Sequence, residues 1–108
     1  MAHFLLQGAY TAEAWSALVN NPQDRSVAIR PAVEKLGGSI KSVWFAFGEY
    51  DVVLIMEMPD NVSAAAFSLA VAAGGAFKVH RTTPLMTIEE GVEAMRRAGG
   101  AGYQPPSS

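Results

Sequence analysis

A chain of 108 residues, half of them hydrophobic, has the material for one core rather than two. Ten acidic against eight basic residues leave a formal charge of −2, which gives no general attraction to a phosphate backbone and argues against nucleic acid as a partner. With no cysteine there are no disulfides, thiolate metal sites or thiol nucleophiles; no apolar run reaches the roughly 18 residues of a membrane span, and no basic stretch leads a long apolar one, so the expected compartment is the cytoplasm.

His3 to Tyr10 is apolar on both faces, with Phe4, Leu6 and Tyr10 on one side and Leu5 and Ala9 on the other, the pattern of a central strand. A helical region follows from Thr11 to Leu36, broken near Asn20 and Asn21. Asn21 is expected to cap the second piece, with Pro22 in its first turn and Asp24 beside the positive end of the dipole. Ile29, Val33 and Leu36 give that piece one buried stripe, and Pro31 inside it removes a hydrogen bond. Gly37 and Gly38 end it. Ser39–Phe47 and Tyr50–Glu57 form a strand pair reversed at Gly48-Glu49 by a type II′ turn, a bulge or a longer loop. The run Val52–Met56 is again apolar on both faces. Asp60 or Asn61 caps the next helix, whose stripe is Val62, Ala66, Leu69 and Ala73, and Gly74-Gly75 stop it. Ala76 to Thr83 makes a last, less hydrophobic edge strand. Thr87 and Glu90 form a capping box for a terminal helix with Ile88, Val92 and Met95 on one side.

The order β-αα-β-β-α-β-α and the right-handed crossover rule give an α+β, ferredoxin-like βαββαβ antiparallel sheet in the order 4-1-3-2, with an extra C-terminal helix. A single domain is expected over residues 1–98, and residues 99–108 are expected to be a flexible tail. Helices would cover one face of the sheet, yet the central strands are apolar on both. A second copy of the sheet would cover the other face, or the terminal helix would, from the same chain or a neighbour. A charged fraction of 17%, against roughly 25% in typical soluble domains, fits a surface partly hidden in a subunit contact; helix-surface alanines account for some of the same surplus.

The segment FGEYDVVLIMEMPD, with Gly48, Tyr50 and Asp51, resembles the signature of the GYD-domain family of small bacterial and archaeal proteins. Tyr10-Thr11, Pro22 to Arg25, Gly37-Gly38, Pro59-Asp60 and Gly74-Gly75 match the same pattern, and the similarity runs from the first strand to about Arg97. Ala14 stands where a glycine is expected, and Pro31 is a second departure. The resemblance implies a dimeric α/β barrel and no general activity.

Asp51 opens a strand of apolar groups, where an unpaired carboxylate is costly. One reading makes it an acid or base, with Tyr50 as hydroxyl donor; the other has it accepting backbone N–H bonds while Tyr50 packs. Arg25 binds an anion at a helix start or pairs with Asp24, Asp60 or a carboxylate of another subunit. Trp15 and Trp44, with Phe45 and Phe47, line a cavity or belong to core and interface. His3 and His80 approach each other if the first and last strands pair, with Glu57 as a distant third ligand, but the spacing is no metal signature, and no metal or cofactor is expected. Phosphate-loop and serine-hydrolase motifs are absent. The sequence therefore points to a self-associating binding or assembly module for a small, partly apolar ligand. The rivals are a cofactor-independent monooxygenase or isomerase, by analogy of fold alone, and a purely structural or regulatory partner.

Overall fold

The structure, a computed structural model, describes residues 1–107. Its elements are β1 (Ala2–Tyr10), α1 (Ala12–Asn20), α2 (Ser26–Lys35), β2 (Ser39–Phe45), β3 (Val52–Met58), α3 (Asn61–Gly74), β4 (Phe77–Leu85) and α4 (Ile88–Gly99). The four strands form one antiparallel sheet in the order β2-β3-β1-β4, which is the ferredoxin-like arrangement expected.

Strand alternation separates the two faces. Phe4, Leu6 and Tyr10 of β1 and Val52, Leu54, Met56 and Met58 of β3 are buried on one face, beneath α2 and α3. Val33 of α2 and Ala64 and Phe67 of α3 complete that core. Each large side chain so buried contributes roughly 1.5–3 kcal/mol. Gly38 is needed where α2 returns to the sheet: a Cβ there would run into the Glu57 carbonyl and the Met58 sulfur. Gly37, at φ 88°, supplies the left-handed exit from the helix.

Several boundaries depart from the sequence reading. The second helix begins at Ser26 rather than at Pro22, and Asn21 closes α1, its N–H donating to the Ala17 carbonyl. Asp24 does the work of the cap instead: its Oδ1 accepts from the Ser26 N–H at 2.9 Å and the Ser26 hydroxyl at 2.6 Å. Pro31 is tolerated inside α2. β2 stops at Phe45 and β3 starts at Val52, so the reversal is the longer loop, closed by the Ala46 N–H on the Asp51 carbonyl at 2.7 Å. β4 runs on to Leu85 and includes Pro84, which an edge strand accommodates. Asp60 caps α3, Gly75 ends it with φ 73°, and Thr87 and Glu90 form the expected capping box on α4.

The opposite face of the sheet is not covered. Leu5, Val53 and Ile55 are half-buried there, with Trp44 exposed at one margin and Val79 at the other. Glu57 sits among them, with its carboxylate 3.0 Å from His3 Nε2 and 3.6 Å from Lys41 Nζ. Among the described residues no helix is long and apolar enough to cross a membrane.

Candidate functional site

The site is built at the C-terminal end of β1, where the sheet loses a neighbour. Pairing of β1 with β3 ends at Gly8 and Val52, so the backbone N–H of Tyr10 has no strand carbonyl on that side. A half-buried N–H must find another acceptor. Asp51 provides it. Its Oδ2 accepts from the Tyr10 N–H at 2.9 Å and from the Trp15 indole N–H at 3.1 Å. Its own N–H donates to the Gly8 carbonyl at 2.8 Å. One residue thus ties the 46–51 loop, the end of β1 and the start of α1 together.

Held this way, Tyr10 turns its ring onto the helix-covered face, where three aromatics meet. Phe77 stacks on it with centroids 4.5 Å apart and planes 18° from parallel; Trp15 meets it edge-on at 5.2 Å and 75°. Gly8 makes the stack possible, because a Cβ there would lie 2.6 Å from a Phe77 ring carbon. The β1–β4 register shifts between Ala9 and Tyr10, so that Tyr10 falls opposite Phe77.

Tyr10, Phe77, Phe67, Ile29 and Val71 line a cavity of about 250 Å³ between α2, α3 and the sheet, with Arg25 on its wall. The Arg25 guanidinium lies close enough to the Tyr10 hydroxyl for its charge to act on it, and it donates from Nη1 to Gln23 Oε1 at 3.1 Å. Among the described residues it has no carboxylate within ion-pairing distance, neither Asp24 nor Asp60. Burial raises the Tyr10 pKa above the ordinary phenol value; the nearby Arg25 guanidinium opposes the rise, and the Asp51 charge adds to it. The phenol is therefore protonated at neutral pH, as a hydrogen-bonding group and not a base. A second recess of about 210 Å³ shares Arg25 and is walled by Asp24, Ser26, Trp44 and Phe45.

Of the residues singled out in the sequence, Asp51 and Trp15 are brought into direct contact and Arg25 reaches the cavity. Trp44 is two-thirds exposed and borders only the neighbouring recess. Tyr50 is half-buried in the loop and does not line the Tyr10 cavity. His3 and His80 do not meet: His3 lies opposite Leu85 and His80 opposite Gly8, on different faces and about 17 Å apart along the strands. No three His, Asp or Glu side chains converge among the described residues. Sequence reading passed over Tyr10 and Phe77. The available signal was a glycine two residues before a tyrosine in an otherwise apolar strand, which marks close approach by another group.

A four-stranded ferredoxin-like sheet with one bare face and a pocket under its helices defines the class. The GYD-domain profile matches residues 4–95, and the chain belongs to that family. Among solved structures, FFRP-DM1 shares 14% identity at a TM-score of 0.50, over 80% of this chain and all of that one. Hypothetical protein PHS023 from Pyrococcus horikoshii has 14% identity and a TM-score of 0.49, over 81% of this chain and 92% of that one. An uncharacterized NIPSNAP domain protein from Burkholderia xenovorans has 14% identity and a TM-score of 0.48, over 98% and 100%. At such identity the likeness to FFRP-DM1 concerns the fold alone. No curated protein matches the sequence.

Proposed function

We propose that this protein is a cytoplasmic binding module that acts as a homo-oligomer and holds a small, partly apolar molecule in the cavity between α2, α3 and the sheet. The observation that carries this is the Arg25 guanidinium on the wall of an otherwise aromatic and aliphatic cavity that it shares with the Tyr10 phenol, free of any carboxylate among the described residues. One cation and one phenol in an apolar chamber suit a ligand with an apolar body and a single anionic or acceptor group. Trp44 belongs to the adjoining recess, and Trp15 acts through Tyr10. In this reading Asp51 is a positioning residue and Tyr50 does no chemistry, since the Asp51 Oδ2 already accepts two N–H groups. A cofactor-independent enzyme working through Tyr50 and Asp51 is correspondingly disfavoured.

Native mass spectrometry of protein purified from its own cells, followed by extraction, tests the reading. A small organic acid that co-purifies with the wild type and is lost from both Arg25→Gln and Tyr10→Phe is expected. Absence of any bound molecule, with no response to titrated aromatic carboxylates such as benzoate, would overturn it. The oligomer is supported by the bare apolar sheet face, and light scattering at micromolar concentration showing a stable monomer would refute it.

A further inference from the structure

The terminal helix is the part of the molecule that its own chain does not use. α4 follows β4 after only Met86 and Thr87, and every described residue beyond Gly91 is exposed. Leu85, which pairs with His3, is only three residues from Ile88, so the start of the helix lies beside the His3–Leu85 end of the sheet. From there it runs away from the body. Ile88, Val92 and Met95, at spacings of four and three, make one apolar stripe, and they are 86%, 37% and 72% exposed. A helix of 12 residues is marginal alone in water. The capping box and the Glu93 pairs with Arg96 and Arg97 are exposed contacts that help its ends only slightly. They do not explain the stripe.

The dimensions agree. A compact chain of this length has a radius of gyration of about 13 Å, whereas this one measures 17.4 Å. Its accessible surface is 7516 Å², about 1,700 Å² more than a folded monomer of 11.5 kDa exposes. A standard interface hides about 800 Å² per partner, and obligate dimers hide more. The described residues after Gly99 supply part of the excess, and its apolar parts include the bare sheet face and the α4 stripe. These two surfaces adjoin, running from Leu5 and Leu85 through Met86 to Ile88. A two-fold pair satisfies both at once, each copy giving an arm and receiving one. An unrelated partner would have to match the sheet face and the arm separately.

We propose that α4 is an exchanged arm: the Ile88, Val92 and Met95 stripe packs onto a second copy of this chain, whose bare sheet face stacks on that of the first. This rests on the self-association proposed above, and the experiment separates the two. Sedimentation velocity of the full chain is compared with the Val92→Glu/Met95→Glu variant. The stripe makes no contact of consequence within its own copy, so circular dichroism should show the variant folded. The dimer dissociation constant is expected to rise at least about a hundredfold, from two apolar side chains removed from an interface. In parallel, Met95→Cys, in a chain with no other cysteine, is labelled with a benzophenone and photolysed in a mixture of light and heavy-isotope copies. Cross-linked pairs of mixed mass support the exchange. A dimer of unchanged affinity in the double variant, with cross-links only inside one copy, overturns the arm and leaves sheet association standing. A monomeric wild type overturns both.

Discussion

Replacing Asp51 is the sharpest perturbation the structure offers, because a single carboxylate oxygen carries two N–H groups from different elements. Hydrogen bonds to a charged acceptor contribute about 1.5–3 kcal/mol each. The figure is discounted for the Trp15 bond, since that side chain is 36% exposed. In Asp51→Asn the carboxamide oxygen can still accept in the same place, and the loss is the charge assistance, about 1–2 kcal/mol. In Asp51→Ala the Tyr10 N–H and the indole are both left without an acceptor, and the loss rises to about 2–4 kcal/mol. With a urea slope of roughly 1–3 kcal/mol/M, the asparagine variant's midpoint should fall by about 0.5–1 M. Circular dichroism at one fixed protein concentration is the proper assay, because association would otherwise shift the midpoint. Unchanged midpoints in both variants would refute the structural role and restore Asp51 as a carboxylate free for chemistry. A loss in alanine but not in asparagine would mean that acceptor geometry, and not charge, holds the loop.

Gly38→Ala should destabilise the fold by roughly 3 kcal/mol, measured by the same denaturation, because the new Cβ meets a backbone carbonyl that cannot swing aside. One of the three tyrosines should ionise above the ordinary phenol range in an absorbance titration, and Tyr10→Phe should abolish that late component. The sign follows from burial: the phenolate is harder to form in the folded state, so this stabilisation is complete below the ordinary value near 10 and is lost as pH rises toward the raised one. Gly48→Ala should leave stability within about 0.5 kcal/mol, since its φ is not positive and a Cβ there would meet nothing within 4 Å.

What was legible in the sequence was what local chemistry decides. The Asp60 cap, the Thr87–Glu90 box and the left-handed exit at Gly75 each need only residues a few positions apart. The strand order followed from handedness once four strands and their crossovers were in place. The failures occur where a distant contact outweighs a local preference. Phe47 favours a strand, yet it projects fully into solvent because β3 offers no partner before Val52. Asn21 and Pro22 look like a helix start, but the Asp24 carboxylate on Ser26 sets the boundary further on. Arg25, Trp15 and Asp51 were visible as candidates individually. Their relation to Tyr10 and Phe77 was not, because it depends on a register shift and on a glycine clearing space across a strand pair.

The end of β1 also shows why structural and functional roles are hard to separate here by mutation alone. Tyr10 donates its N–H to Asp51, and Thr11 donates its own to the Ala76 carbonyl at 2.9 Å, just before β4 begins. The Thr11 hydroxyl then caps α1 by accepting from the Ala14 N–H at 3.1 Å. The cavity wall bearing the Tyr10 phenol is therefore fixed by two consecutive backbone N–H groups whose acceptors lie in two other parts of the chain, and by the Thr11 hydroxyl that caps α1. Weakening any one of them lets the phenol and its Phe77 stack drift relative to Arg25, which stands on a different element. Loss of ligand affinity in Asp51→Asn would then follow without the carboxylate ever touching the ligand. Trp15→Phe supplies the control, since it removes one of the two bonds on Asp51 while leaving the carboxylate in place. A matching fall in affinity in both variants marks positioning. A fall confined to Asp51→Asn marks direct contact with what is bound.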